Sequence, residues 1–169
     1  MTSVVAMTDL APVRHYSLGE PLTLDPVPLA VLRHEGVTLD DIRDLFDTGY
    51  SAIGGLIGSG AIVPAGPALA IYHGDPMGRF DLELGFPVVD PLNSPMDAGS
   101  LSVIGSTLPA GPALAATHLG SYDDLGDAWG RLAETPGGPA PTGVWIEVYV
   151  SDPTSGQELR TDLLMPVTA

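Results

Sequence analysis

The chain contains no cysteine and no lysine, and its six arginines face 21 acidic residues. Without cysteine there is no disulfide, thiolate nucleophile or Cys-based zinc or redox motif; without lysine there is no Schiff base and no P-loop. A formal charge of −15 over 169 residues repels a phosphate backbone, so direct nucleic-acid binding is not expected. The same field favours small cations, although acidic surfaces also serve solubility alone. The N-terminal MTSVVAMTDLAPVRHYS lacks a basic stretch and a continuous apolar core, so it does not read as a signal peptide. Thr48 to Tyr72 carries no formal charge, but Pro64, Pro67 and six glycines interrupt it, which argues against a membrane span. A soluble, cytoplasmic protein of one domain, or of two small modules sharing a core, is expected.

Other motifs are weak or missing. His34, His73 and His118 each lie at a strand end close to a glycine and His15 is isolated, so no metal site is read. GGLIGSG at Gly54–Gly60 lacks the lysine of a phosphate loop and follows a helix, which it is expected to end or loosen. There is no GxSxG and no Ser-His-Asp set, and no cofactor is implied.

Apolar runs and turn signals place strands near Pro28–His34, Pro67–His73, Phe80–Val88, Leu101–Leu108, Pro112–Leu119, Val144–Val150 and Leu159–Val167. Two helices fit between them. TLDDIRDLF opens the first, with Thr38 as cap and Ile42, Leu45, Phe46 and Gly49 at helical spacing. SYDDLGDAW opens the second, with Ser121 as cap and Leu125, Ala128, Trp129 and Leu132 on one face. The two nonapeptides match position for position. Around them RHEG pairs with THLG, IYHGDP with VYVSDP, and LELGFPV with TDLLMPV, so each half reads strand, helix, strand, strand. The string PAGPALA also occurs twice, at Pro64–Ala70 and Pro109–Ala115, but the copies are not equivalent: one follows the first helix and the other precedes the second.

FDLELGFPV, HLGSYDDLGDAW and PTGVWIEVYVSDP resemble the signature segments of the GyrI-like small-molecule-binding domain. That domain is also the effector-binding domain of some MerR- and AraC-type multidrug regulators. The resemblance spans about Val27 to Val167. It implies an α+β fold of tandem strand-helix-strand-strand (SHS2-type) modules: one antiparallel sheet flanked by two helices, with a ligand groove on a pseudo-twofold. Residues 1–26 read as an N-terminal extension, too short for a DNA-binding helix-turn-helix, and residues 27–169 as the domain, with repeats at about 27–90 and 100–168. A stand-alone member is expected.

A duplicated fold is its own control, because a single off-axis site need not be kept in both halves. Alternation puts Trp145, Glu147 and Tyr149 on one face of a strand, where the first half has Ala68, Ala70 and Tyr72. A carboxylate between aromatics is costly to bury without a partner, and a bound cation would offset that cost. The resemblance adds that the family's pocket glutamate falls on the motif matched by Glu147. The competing reading makes Glu147 a half-exposed sheet residue paired with an arginine such as Arg160. Phe46 and Trp129, at equivalent helix positions, suit either core packing or groove lining; Tyr50, Tyr72 and Tyr122 complete the candidate ligand set. Glu83, matched by Asp162, reads as structural or solvated.

The expected function is binding of flat, lipophilic and preferentially cationic small molecules for sensing, sequestration or a role in transcription regulation. Some family members are linked to opening cyclopropane-containing toxins with water; in that alternative Glu147 acts as base, and Tyr149 or Tyr122 as donor. A topoisomerase partner is a third possibility, for which no specific patch is visible.

Overall fold

The computed structural model describes residues 14–134, 139–150 and 159–168. The N-terminal end of the signal-peptide reading and the Ser151–Pro153 end of the second motif lie outside them. All seven expected strands form, and the two helices lie where the nonapeptides put them. The elements are β1 (Glu20–Leu24), β2 (Pro28–Val37), α1 (Ile42–Gly58), β3 (Leu69–Gly74), β4 (Phe80–Pro87) and β5 (Met96–Ala98). They continue with β6 (Leu101–Thr107), β7 (Gly111–Leu119), α2 (Leu125–Ala133), β8 (Val144–Tyr149) and β9 (Arg160–Pro166).

Each helix begins with a 3-10 turn, Leu39–Asp41 or Tyr122–Asp124. Asp41 accepts the Thr38 backbone N–H at 3.0 Å, and the Ser121 hydroxyl accepts that of Asp123 at 3.1 Å, satisfying donors that a helix start leaves free. α1 runs through Gly54 and Gly55 and ends at Gly58, followed by Gly60 at φ +82°, so the glycine run terminates this helix. Gly49 is buried against the sheet, where a Cβ would come within 3.3 Å of the Leu32 and Leu84 methyls.

The strands form one antiparallel sheet in the order β1-β7-β9-β8-β3-β4-β2-β6-β5. β1 and β5 were not expected from sequence, and β1 takes residues 20–24, read as extension, into the sheet. The leading strands are exchanged: β1 runs into β2 but pairs with β7, while β6 runs into β7 but pairs with β2. At the centre β3 pairs with β8. One row of directly opposed residues crosses six strands: Leu32, Leu84, Ala70, Glu147, Leu163 and Ala116.

That row lies on the helix side. α1 covers Ala30, Leu32, Ala70, Leu82 and Leu84, and α2 covers Leu114, Ala116, Leu163 and Met165. The opposite face carries Leu29, Val31, Leu69, Ile71, Ile146 and Val148, all fully buried without a helix above them. Leu22 and Leu24 of β1, Ile104 of β6, and Val27 and Leu108 beside them supply the cover. Burial of that order contributes about 1.5–3 kcal/mol per large aliphatic side chain.

Glu83 corrects the sequence reading in part. It is 5% exposed, so it is not solvated. The match to Asp162 left both a structural and a solvated role open, because spacing along one strand says nothing of the neighbours that cover a side chain. His73 and Ser106 bond its two oxygens, and Arg33 lies 3.7 Å away. Burial opposes its ionisation, yet the bonds from His73 and Ser106 and the charges of His73 and Arg33 hold its carboxyl below the usual range.

Candidate functional site

The site is built on the central strand pair. Tyr72 on β3 and Glu147 and Tyr149 on β8 share the helix-side face because they sit at alternate positions of paired strands. The Glu147 carboxylate is only 6% exposed. Its Oε1 accepts the Tyr149 hydroxyl at 2.6 Å and the Tyr72 hydroxyl at 3.1 Å, and its Oε2 accepts Trp129 Nε1–H at 2.8 Å. No arginine or histidine among the described residues lies within ion-pair distance of it. Arg160, the suggested partner, is bound to Asp162 at 3.0 Å, on the other face of the sheet. Glu147 is therefore neither half-exposed nor arginine-paired: alternation turns it toward the helices and Arg160 away.

The aromatic candidates gather around this carboxylate. Trp145 meets Trp129 edge to face at 5.5 Å and donates its indole N–H to the Gly74 carbonyl. Phe46 and Tyr122 both contact the Tyr149 ring, at 5.8 and 5.9 Å. Tyr122 is well exposed, whereas Tyr149 is largely enclosed. Tyr50 stands one ring further out, against Phe46 at 5.7 Å, and its hydroxyl donates to the Leu69 carbonyl at 2.6 Å. That bond ties Tyr50 to β3.

Phe80 and Phe86 extend the cluster, against Tyr72 at 5.2 Å and Tyr50 at 5.8 Å. Sequence reasoning missed both, although the alternation of FDLELGF puts them on one face with Leu82 and Leu84. Burial, and then the charge of Glu147, push the Tyr72 and Tyr149 phenols well above the usual tyrosine range. Tyr50 shifts upward for the same reasons.

Chemically, this is a buried carboxyl group whose partners among the described residues are neutral donors. A carboxylate offers about four acceptor positions, and three are in use here. The donors orient the carboxyl group through the polar edges of Tyr72, Tyr149 and Trp129, and further aromatic rings pack against those three. Among the described residues no group of three or more His, Asp or Glu side chains is placed to hold a metal ion, and no helix is long and apolar enough to cross a membrane.

Comparison with known proteins places this architecture. Among solved structures, the C-terminal domain of EcmrR superposes with a TM-score of 0.70 at 17% identity, over 89% of this chain and 96% of that one. SAV2435 bound to tetraphenylphosphonium gives 0.63 at 13% identity, over 89% and 94%. A hydrolase from Listeria innocua gives 0.58 at 14% identity, over 92% and 94%. No curated protein sequence matches the chain significantly. The profile of the GyrI-like small molecule binding domain matches residues 20–168, and the chain belongs to that family.

Proposed function

We propose that the chain binds lipophilic cations of aromatic character in a groove centred on Glu147, for sensing, sequestration or transcription-related regulation. The observation that carries this reading is a buried carboxylate with three neutral donors and, among the described residues, no arginine or histidine within ion-pair distance. Taking a carboxylate out of water costs several kcal/mol, of which neutral hydrogen bonds recover only part. A bound cation supplies the missing charge, and each aromatic face adds about 0.5–2 kcal/mol. The structural relative with tetraphenylphosphonium bound supports the same class of ligand.

The groove belongs, in this reading, to a pair of tandem strand-helix-strand-strand modules with a pseudo-twofold between Ala70 and Glu147. Those two residues match in sequence and oppose each other directly in the sheet. Leu84 and Leu163, then Leu32 and Ala116, follow outward in step.

The test is calorimetric titration of tetraphenylphosphonium and of a neutral analogue of similar shape against the native protein and Glu147→Gln. Loss of the charge should weaken cation binding by about 1–3 kcal/mol, as for a contact involving a charged group, and leave the neutral ligand little changed. Equal losses would reduce Glu147 to a shape role; no loss for either would move the site elsewhere.

The 2.6 Å contact between the Tyr149 hydroxyl and Glu147 supports a second reading, a hydrolase of cyclopropane-bearing electrophiles with Glu147 as base and Tyr149 or Tyr122 as donor. Mass spectrometry after incubation with such a compound separates the two. Repeated turnover that collapses in Glu147→Gln establishes the hydrolase; stoichiometric binding without product establishes the binder.

A further inference from the structure

The two tyrosines that hold Glu147 Oε1, Tyr72 and Tyr149, are matched residues of the two halves. Each has a helix-side residue opposite it in the sheet: Leu82 on β4 for Tyr72, and Thr161 on β9 for Tyr149. Leu82 and Thr161 match as well, and so do the histidines beyond them, His34 opposite Leu82 and His118 opposite Thr161. The frame is the same on both sides of the carboxyl group, and the residue that flanks the tyrosine differs.

Leu82 is fully buried, in the cluster that holds Tyr72, Phe46 and Tyr149. Thr161 is buried as completely, but its Oγ1 has no hydrogen-bond partner among the described residues. Its neighbours direct polar groups elsewhere. The Tyr149 hydroxyl donates to Glu147 at 2.6 Å, and His118 Nε2 is engaged with the Ser121 carbonyl at 2.9 Å. An unpaired hydroxyl is costly inside a protein, and an apolar side chain serves the fold at the matched position. A polar group that costs stability beside a binding site points to a contact with what binds there.

We propose that Thr161 is a specificity residue of the groove, whose ligand is an aromatic cation carrying a hydroxyl on one ring. Glu147 meets the charge, and Thr161 Oγ1 exchanges a hydrogen bond with that hydroxyl, which can donate or accept as threonine can. This assignment rests on the cation-binding reading of Glu147. Thr161 and Glu147 share one face as diagonal neighbours across β8 and β9. Such neighbours lie about 7–8 Å apart, so one ring reaches from the charge to the hydroxyl. Leu82 offers no such bond beside Tyr72, so the substituted ring has one side of Glu147 to occupy.

The probes are tetraphenylphosphonium ions substituted on one ring, at position 3 or 4, with hydroxymethyl or with ethyl, which match in charge and closely in shape. They are titrated by calorimetry against the full chain. At one of the two positions the native protein should favour hydroxymethyl over ethyl by about fivefold more than Thr161→Val does. Thr161→Ser, which keeps a hydroxyl, should keep the preference. A threonine with a structural role alone would move both affinities together and leave their ratio fixed. Equal ratios in the native protein and Thr161→Val at both positions, or a ratio in Thr161→Ser no greater than in Thr161→Val, would overturn the assignment. Unsubstituted tetraphenylphosphonium separates the two readings. Binding that Glu147→Gln weakens, without coupling to position 161, sinks this assignment alone; absence of binding by every phosphonium sinks the cation site and this assignment with it.

Discussion

Thr161 Oγ1 is fully buried and has no hydrogen-bond partner among the described residues, between Tyr149 on β8 and His118 on β7. The matched residue of the first half is Leu82, which needs none. An unpaired buried hydroxyl costs about 1–3 kcal/mol, so Thr161→Val, of the same shape, should raise the urea-derived unfolding free energy by about 1 kcal/mol. A loss of that size would instead mean that the hydroxyl bonds a group within the native protein. Glu147 presents the opposite case at residue scale: its face was legible from strand period, its satisfaction was not. Alternation puts Trp145, Glu147 and Tyr149 together, but the third donor, Trp129, comes from a helix, and spacing along one strand cannot say how far another element reaches. The restriction to one acid has a local reason. Position 70 directly opposes position 147, so an acid in both halves would set like charges face to face.

Element by element, the seven strands and two helices were legible because period-two runs, caps and apolar stripes are local. The exchange of β1 and β6 was not, because it is decided by pairing between distant segments, Leu22 against Ala113 and Pro28 against Thr107. Pro21 and the shortness of β1 further hid its Leu22 and Leu24 alternation. Gly85 of β4 shows what the tight pairing demands. A Cβ there would lie 1.9 Å from the Ala30 carbonyl oxygen and 2.9 Å from Val31 Cα, both backbone atoms of the neighbouring β2. Neither can give way without parting the strands. Gly85→Ala should therefore cost about 3 kcal/mol or more in chemical denaturation, beyond the usual effect of one added methyl, with amide exchange rising first along β2 and β4. A loss under 1 kcal/mol would show that the two strands separate easily at this point.

At the scale of the whole molecule, the aromatic cluster links stability to alkaline pH. Tyr50, Tyr72 and Tyr149 have phenols raised above the tyrosine range by burial and by the charge of Glu147, so they stay neutral in the folded state where the unfolded chain ionises. The unfolded state then binds fewer protons than the native one, and stability falls as pH rises. That loss begins above the unfolded phenol value, about pH 10, and is absent below it. Each phenol contributes about 1.4 kcal/mol per pH unit within that window. Thermal melts from pH 8 to 11.5 should be level with respect to these groups up to about 10 and then decline steeply. Absorbance at about 295 nm, where tyrosinate absorbs, should register only part of the chain's five tyrosines before unfolding and the remainder in step with it. Five tyrosines ionising together near pH 10 in a still-folded protein would mean that the phenols around Glu147 are open to water, and with them the carboxylate whose isolation underlies the proposed cation site.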